Sequence, residues 1–281
     1  MFRTSHEQSL LEVNNLRVDY SGSQGRVTRA VNDVSLSLKP RETLGIVGES
    51  GSGKTTLGRA VLGLTPVTSG SIVFEGVDIT RASYKQRRAL SSRLQVVFQD
   101  PYSSLNPTRT IGQTLAESLR HHSGLRREEV AERVGSMLER VGLPAQAAER
   151  FPGRFSGGQR QRIAIARALM SQPRLVICDE AVSALDLSVQ AQILNLLREL
   201  QDDFDLSYLF IAHDLDVVRF LSDRILVMHQ GREIEQGQAD QVYETPKDPY
   251  TRALIDAVPV PDPDEQRRRR EARWSWREQA V

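Results

Sequence analysis

One short segment constrains the fold of this chain more than any other feature of the sequence. Residues 48–55 read Gly-Glu-Ser-Gly-Ser-Gly-Lys-Thr and directly follow the apolar segment 43–47. Glycines let a loop turn so tightly that successive backbone amides can surround phosphate oxygens, and the following helix adds its positive N-terminal end. The segment therefore predicts a nucleoside triphosphate site in which Lys54 reaches the β- and γ-phosphates and Thr55 binds Mg²⁺. The nucleotide-binding residues predicted here are Gly48, Glu49, Ser50, Gly51, Ser52, Gly53, Lys54, Thr55 and Thr56.

A second segment supplies the carboxylates that such a site needs. Residues 175–178 form a continuous apolar run, typical of a strand buried on both faces of a parallel sheet, and the run ends at Asp179 and Glu180. An aspartate in this position holds Mg²⁺ through its water shell. The adjacent Glu180 can point at the water that attacks the γ-phosphate. We therefore predict Asp179 as a metal-binding residue and Glu180 as the catalytic carboxylate.

The hydrophobic pattern indicates an α/β protein. Within the first 80 residues, apolar and polar positions alternate, and residues 70–79 predict a hairpin closed at Glu75-Gly76. Residues from about 106 to 150 favour helices, interrupted at Gly124 and at 142–144. Later in the chain, short apolar strands alternate with amphipathic helices, which predicts a mainly parallel sheet.

Composition excludes several classes of function. Lysine and arginine total 37 against 36 aspartates and glutamates, so no excess of positive charge favours nucleic-acid binding. The single cysteine, Cys178, excludes an intrachain disulfide framework and a multi-cysteine metal site. The apolar runs are far shorter than the roughly 18 residues of a membrane span. We therefore expect that any membrane function needs partner subunits.

A glycine pair ahead of a helical run carries the first resemblance to a known family. The stretch Ser156-Gly157-Gly158-Gln159 precedes the helical run 160–168 and resembles the signature motif of the ABC ATPases, with Phe155 where leucine is usual. In that family the signature loop contacts the γ-phosphate of a nucleotide held by the other subunit. The resemblance therefore implies a head-to-tail dimer with two ATP molecules between the subunits. It adds Ser156, Gly157, Gly158 and Gln159 to the predicted nucleotide-binding residues.

The remaining motifs of the ABC ATPases occur in the expected order. Gln99 matches the Q-loop glutamine, which touches Mg²⁺ and the attacking water, and is predicted as both metal-binding and catalytic. Asp186 matches the D-loop aspartate, and His213 matches the switch histidine that contacts the γ-phosphate. Tyr20 stands where this family stacks an aromatic ring on adenine. Lys54, Gln99, Glu180 and His213 are accordingly the predicted catalytic residues, with ATP and Mg²⁺ as the ligands.

The resemblance covers residues ~10–260 and implies the architecture of the whole cassette. It is that of a P-loop NTPase: an α/β core with a mainly parallel sheet, an N-terminal antiparallel β subdomain and an inserted α-helical subdomain. We place the ATPase domain at 10–237, with the helical subdomain at about 100–172. A C-terminal extension is predicted at 238–261, followed by an Arg-rich tail at 262–281 that we expect to be disordered.

The C-terminal extension indicates which subfamily of ABC ATPases the chain resembles. Residues 245–254 read Thr-Pro-Lys-Asp-Pro-Tyr-Thr-Arg-Ala-Leu and resemble the extension of oligopeptide, dipeptide and nickel importer ATPases, with Asp248 where histidine is usual. Residues 99–107 resemble the second of the two paired ATPases of those importers. The resemblance implies an ATPase that powers peptide import through two integral membrane permeases, supplied by an extracytoplasmic solute-binding protein. Such a subunit is peripheral, on the cytoplasmic face of the cell membrane.

Several alternatives remain open from the sequence. The solute can be nickel or another small molecule instead of a peptide, and the ATPase partner can be a second copy or a paralogous chain, which the subfamily resemblance favours. A soluble accessory ATPase of carbon–phosphorus lyase shares much of the same motif pattern, including the extension. A DNA-maintenance ATPase is excluded because the chain has neither long heptad coiled coils nor zinc-finger cysteines.

Overall fold

The computed structural model describes four stretches of the chain: residues 9–21, 27–100, 104–120 and 126–257. The predicted tail at 262–281, the helix interruption predicted at Gly124 and residues 101–103 of the importer-like segment lie outside these described residues.

Two compact units divide the described residues and are interleaved along the sequence. The helix-rich unit contains the described residues of 9–10, 39–42 and 81–209. The strand-rich unit contains those of 11–38, 43–80 and 210–257. Because the chain passes back and forth between the units, the domain boundaries given above remain predictions.

The described elements are numbered in chain order. The strands are β1 (Leu11–Ser21), β2 (Val27–Leu38), β3 (Thr43–Val47), β4 (Ser69–Phe74), β5 (Val77–Asp78), β6 (Leu94–Phe98), β7 (Leu175–Asp179), β8 (Ser207–Ile211), β9 (Arg224–His229) and β10 (Arg232–Gln238). The α-helices are α1 (Lys54–Leu62), α2 (Tyr84–Leu90), α3 (Ile111–Arg120), α4 (Arg127–Arg140), α5 (Gly157–Leu169), α6 (Leu187–Phe204), α7 (Leu215–Leu221), α8 (Ala239–Glu244) and α9 (Pro249–Asp256).

An antiparallel sheet forms the N-terminal part of the strand-rich unit. Its strand order is β2-β1-β4-β5, and the buried residues of β1 and β2 are two apart except where irregularities shift the register of the pairing. The predicted hairpin is confirmed, since Phe74 pairs with Val77 across a turn in which Glu75 and Gly76 both have positive φ. Two left-handed central residues give the turn whose twist matches that of antiparallel strands.

A second sheet positions the predicted phosphate loop. In the strand-rich unit, β3 pairs in parallel with β9, from Leu44 opposite Arg224 to Val47 opposite Val227. β10 adds to β9 in the antiparallel direction. All five residues of β3 are buried, and Gly48 follows directly at the carboxyl end of this strand. Ligands of open α/β sheets bind at this end of the strands.

Strand β8 starts in the helix-rich unit and ends in the strand-rich unit. In the helix-rich unit the strand order is β8-β7-β6, and β6 pairs in parallel with β7 from Leu94 opposite Leu175 to Phe98 opposite Asp179. In the strand-rich unit the Ala212 amide, just after β8, donates to the Ile46 carbonyl of β3. Parallel pairing predicted from the alternating strands and helices is therefore present in both units.

The helix end predicted at 142–144 is present in the helix-rich unit. Helix α4 stops at Arg140, and Gly142 then takes a φ of 75° while its amide donates to the Glu139 carbonyl. The Leu143 amide closes the turn onto the Leu138 carbonyl. This glycine cap is a common way to end a helix, and it confirms the interruption predicted at 142–144. No described helix is long and apolar enough to cross a membrane.

Candidate functional site

The phosphate loop is built from backbone conformations that need glycine. Gly51 has a φ of 80°, and a Cβ there would contact no atom, so the conformation alone favours glycine. Gly53 has a φ of 102°, and a Cβ there would lie 2.2 Å from the carbonyl oxygen of Ala30. The loop therefore packs directly against β2, and a side chain at Gly53 would push it away.

Lys54 lies inside the loop that precedes it. Lys54 is 4% exposed, and its Nζ donates to the carbonyl oxygens of Gly48 at 2.7 Å and Glu49 at 2.9 Å. The Ser52 amide also donates to the Glu49 carbonyl, at 3.1 Å. These bonds hold the ammonium group against the loop. The β- and γ-phosphates of a bound nucleotide would accept further hydrogen bonds from this ammonium group.

The N-terminus of α1 is capped differently from those of four other helices. Helices α5, α6, α7 and α9 begin at a side-chain oxygen that accepts a first-turn amide, supplied by Ser156, Asp186, Asp214 and Asp248 respectively. Helix α1 instead begins at Gly53, with no side-chain cap and no acidic residue in its first turn. A helix N-terminus carries about half a positive charge. Together with the Lys54 ammonium, it makes this end of α1 fit a phosphate group.

Tyr20 and His213 lie in the same strand-rich unit as the loop. Tyr20 is the penultimate residue of β1 and has 41% of its surface exposed, and its hydroxyl lies 3.5 Å from Oγ1 of Thr56 in α1. An exposed ring beside the first turn of α1 is available for stacking, as predicted for adenine. His213 is exposed and follows β8, immediately before Asp214, which caps α7.

Strand β7 of the helix-rich unit carries the two predicted carboxylates. Asp179 is buried at its last position, and Glu180 follows with a φ of 50°. Few residues other than glycine adopt this left-handed conformation. The Glu180 carbonyl accepts the amide of Ser183 at 3.1 Å and its hydroxyl at 3.0 Å. This turn ends the strand and holds the Glu180 backbone through its carbonyl oxygen.

Cys178, next to Asp179, is the fully buried thiol of β7. Burial, with a smaller contribution from the Asp179 carboxylate, raises the pKa of Cys178 to about 12. Since only the thiolate reacts, we expect a disulfide reagent at pH 8 to label the native protein at least about 1,000-fold more slowly than the unfolded protein. The chain has no other cysteine, so absorbance from the released reagent reports this residue alone. Labelling of the native protein at the unfolded rate would contradict this burial.

The predicted signature motif forms the start of α5. Ser156 Oγ accepts the Gln159 amide at 3.4 Å, and the Gln159 side chain accepts the Ser156 amide at 3.1 Å, which is a capping box. A Cβ at Gly158 would lie 2.5 Å from Cγ1 of Val189 in α6. Gly158 therefore lets the beginnings of α5 and α6 approach each other closely. The unusual Phe155 is buried, and its carbonyl accepts Nε of Arg160 at 3.0 Å.

Asp186 and Gln99 complete the predicted residues of the helix-rich unit. Asp186 caps α6 by accepting the Val189 amide at 3.0 Å and the Ser188 hydroxyl at 2.7 Å. The bond from the Val189 amide and, to a smaller extent, the bond from the Ser188 hydroxyl lower the pKa of the Asp186 carboxyl. The carboxyl is therefore ionised at neutral pH. Gln99 is exposed directly after β6.

The structure thus gathers the predicted site residues in two groups. The strand-rich unit holds the phosphate loop with Tyr20 and His213. The helix-rich unit holds Gln99 and the Asp179–Glu180 pair, and it also holds the residues that begin α5 and α6. Among the described residues, no three His, Cys, Asp or Glu side chains cluster as a metal site. A Mg²⁺ bound mainly by a hydroxyl, an amide oxygen and phosphates would not need such a cluster.

Sequence reasoning missed one contact of the loop. The Glu49 amide donates to the hydroxyl of Tyr250, in helix α9 of the same strand-rich unit, at 3.2 Å. Tyr250 belongs to the segment 245–254, which the sequence connected only with a subfamily. No local pattern pairs two residues that are 201 positions apart.

Two family models match the chain. One, described as ABC transporter, matches residues 31–183, which is more than half of the chain. The other, described as Oligopeptide/dipeptide transporter, C-terminal region, matches residues 234–278. The second match covers the segment in which the sequence resembles importer ATPases.

Curated relatives agree with these models. The oligopeptide transport ATP-binding protein OppF of Escherichia coli K12 is 48% identical in an alignment that covers 92% of this chain and 80% of that protein. OppF of Bacillus subtilis 168 is 47% identical, over 91% of this chain and 84% of that protein.

Solved structures agree in fold. CbiO1 of Clostridium perfringens, part of the ABC transporter complex CbiONQ, is 30% identical with a TM-score of 0.76, over 85% of this chain and 92% of CbiO1. The ATP-binding cassette MJ0796, in a dimeric post-hydrolysis state bound to ADP and Pi, is 26% identical with a TM-score of 0.74. It is matched over 82% of this chain and 98% of MJ0796.

The fold and the phosphate loop define a P-loop ATPase of the ATP-binding cassette type, which confirms the predicted fold class. The chain belongs to the ABC transporter family, and the predicted resemblance to the ABC ATPases is confirmed. It is an ATP-hydrolysing subunit of a transporter.

Proposed function

We propose that this ATPase drives the import of peptides through separate membrane permeases. The observation that carries the proposal is the C-terminal segment, which matches the oligopeptide/dipeptide transporter region over residues 234–278. Relatives that match over most of the chain carry oligopeptide transport in their names. The nickel alternative has no comparable support from these relatives.

Hydrogen bonds hold the described part of this extension in place, although Asp248 stands where histidine is usual. Glu235 of β10 is buried, and its carboxylate accepts the amides of Lys247 at 3.0 Å and Asp248 at 3.1 Å. Burial by itself would raise the pKa of Glu235, but these amide bonds outweigh it and the pKa is lowered. Asp248 then caps α9 by accepting the Tyr250 amide at 2.7 Å. Aspartate thus serves as a good helix cap at the position where histidine is usual.

ATP hydrolysis is assigned to the residues predicted from the motifs. Lys54 and the N-terminus of α1 bind the phosphates, and His213 holds the γ-phosphate in place. Glu180 accepts a proton from the attacking water or orients it. Thr55, Gln99 and Asp179 offer the hard oxygen donors that Mg²⁺ prefers, and Mg²⁺ when bound neutralises the charge that develops on the phosphates. Asp186 and the residues 156–159 complete the nucleotide site.

Closing and opening of an ATPase dimer couples ATP binding and hydrolysis to movement of the subunits. The beginning of α5 presents Gly157 and Gly158 beside the capped Ser156, and a helix start of this kind can bind an anion. We assign it to the γ-phosphate held by the partner ATPase, in a head-to-tail dimer. ATP favours the closed state because only the triphosphate bridges both halves, and hydrolysis then removes the bridge. The cassette MJ0796 forms a dimer in a state bound to ADP and Pi, which supports a dimeric arrangement of the two ATPases.

The partners follow from the same proposal. A paralogous ATPase completes the dimer, two integral membrane permeases carry the solute, and an extracytoplasmic binding protein delivers it. The subunit then sits at the cytoplasmic face of the cell membrane. Selectivity for the solute resides in the permeases and the binding protein.

Uptake in cells tests the substrate and the partners. We expect deletion of the gene to abolish the uptake of labelled oligopeptides and dipeptides, and the wild-type gene to restore it, with nickel uptake unchanged. Affinity purification after mild detergent is expected to recover integral membrane proteins and a second ATPase. Loss of nickel uptake with normal peptide uptake would overturn the peptide assignment. Recovery of a soluble phosphonate-cleaving complex without membrane proteins would overturn the transport assignment.

A further inference from the structure

The contact between Tyr250 and the phosphate loop lies outside the motifs that define the nucleotide site. Tyr250 is the second residue of α9 and is 8% exposed. Its hydroxyl oxygen accepts the Glu49 amide at 3.2 Å. Its ring packs on His229 at the end of β9, with 4.1 Å between the ring centroids and 37° between the planes. The phenol is therefore held from two sides, by its ring and by its hydroxyl.

Glu49 is the loop residue through which this contact reaches the site. Its amide is bonded to Tyr250, while its carbonyl accepts Nζ of Lys54 at 2.9 Å and the Ser52 amide at 3.1 Å. A rotation of the Glu49 backbone would move the oxygen that holds the Lys54 ammonium. Tyr250 thus fixes the orientation of a residue that positions the phosphate-binding lysine, without being one of the motif residues itself.

Tyr250 is in turn fixed by the extension. Its amide is bonded to the Asp248 carboxylate at 2.7 Å, and the Asp248 amide is bonded to the Glu235 carboxylate of β10 at 3.1 Å. A continuous series of hydrogen bonds thus leads from β10 to the phosphate loop, entirely within the strand-rich unit. Burial raises the pKa of Tyr250, so the hydroxyl is neutral at physiological pH.

From this series of contacts we propose that Tyr250 is a positioning residue for ATP binding, through which the C-terminal extension stabilises the phosphate loop in its binding conformation. The inference rests on the proposed role of Lys54 and the loop in binding ATP. It adds a function for the extension: the segment acts on nucleotide affinity in addition to marking the subfamily. Tyr250 acts through Glu49 and Lys54 and does not itself touch the nucleotide.

The test is Tyr250→Phe, which removes the hydroxyl and keeps the ring that packs on His229. The loss of one hydrogen bond to a buried phenol is worth about a factor of 5 in binding. We expect the KM and the Kd for MgATP to rise about 5-fold, with kcat changed less than about 2-fold. Hydrogen exchange of peptides that cover 48–56 is expected to become faster, while the midpoint of thermal unfolding stays within about 3 °C.

Tyr243→Phe is the matched control. Tyr243 lies in α8, and its ring packs against the Arg219 guanidinium at 4.2 Å, a contact that phenylalanine retains. We expect its KM, Kd and loop exchange to equal those of the wild type. An unchanged KM and Kd in Tyr250→Phe, or the same increase in Tyr243→Phe, would overturn the inference.

Two further measurements distinguish a failure of the Tyr250 inference from a failure of the proposed nucleotide site. Wild-type ATP binding and turnover are measured first, and the absence of both would overturn the proposed nucleotide site itself. Asp248→Ala removes the cap that fixes the Tyr250 amide while the hydroxyl remains. We expect it to raise the KM in the same direction by a smaller factor, and no increase would contradict the hydrogen-bonded series.

Discussion

Replacement of Glu180 by glutamine is expected to lower ATP hydrolysis at least about 100-fold and to leave ATP binding nearly unchanged. A positioned carboxylate that accepts a proton contributes about 100- to 10,000-fold to a rate, and an amide of the same shape cannot accept that proton. The turn that holds Glu180 uses its carbonyl and the Ser183 amide and hydroxyl, so the substitution should preserve the fold. Phosphate release in a single turnover measures the rate, and equilibrium binding of ATP measures the affinity.

The same variant is expected to accumulate as a closed dimer with its partner ATPase in MgATP, because binding closes the dimer and hydrolysis no longer opens it. Light scattering of the variant mixed with the partner ATPase, with and without MgATP, measures this change. Glu199→Gln is the matched control, since Glu199 is an exposed carboxylate of α6. We expect the control to hydrolyse ATP at the wild-type rate. Turnover above about a tenth of the wild-type rate in Glu180→Gln would refute the role given to this carboxylate.

Local chemistry explains which parts of the fold were predictable from the sequence. The start of α5 follows from Ser156 and Gln159, which lie three residues apart and cap each other. The hairpin at Glu75-Gly76 and the helix end at Gly142 follow from the same kind of short-range preference. In each case the residues that decide the structure are neighbours in the sequence, so their pattern is visible without the fold.

Contacts across long sequence separations were not predictable. Gly158 is needed because Val189 of another helix leaves no room for a Cβ, and the Glu49 amide is bonded to a tyrosine 201 positions away. The left-handed conformation of Glu180 also has no glycine or asparagine to signal it. Residue types and spacing therefore identify the candidate site, whereas its supporting contacts emerge only when the strands and helices are assembled.

Replacement of Lys54 by alanine is expected to raise the Kd for MgATP about 30- to 140-fold and to abolish measurable hydrolysis. The Lys54 ammonium is buried and held by the Gly48 and Glu49 carbonyls, so the loop itself fixes its position. A charge-assisted contact of this kind contributes about 2–3 kcal/mol, which corresponds to the expected loss of affinity. The substitution also removes the Lys54 ammonium as a donor to the Gly48 and Glu49 carbonyls. The Glu49 carbonyl retains only the Ser52 amide among these bonds, so faster hydrogen exchange across 48–56 should accompany the weaker binding.

Lys85→Ala is the control for the loss of one positive charge, because Lys85 is an exposed residue of α2. Titration calorimetry with MgATP should give the wild-type Kd for this variant, and thermal unfolding should show that both variants are folded. Lys54 has a second role that the loop geometry makes testable, because its ammonium also connects the Gly48 carbonyl to the Glu49 carbonyl. If Lys54→Ala binds MgATP within about 5-fold of the wild type, the loop amides and the N-terminus of α1 hold the phosphates on their own, and the assignment of Lys54 as a phosphate ligand is wrong.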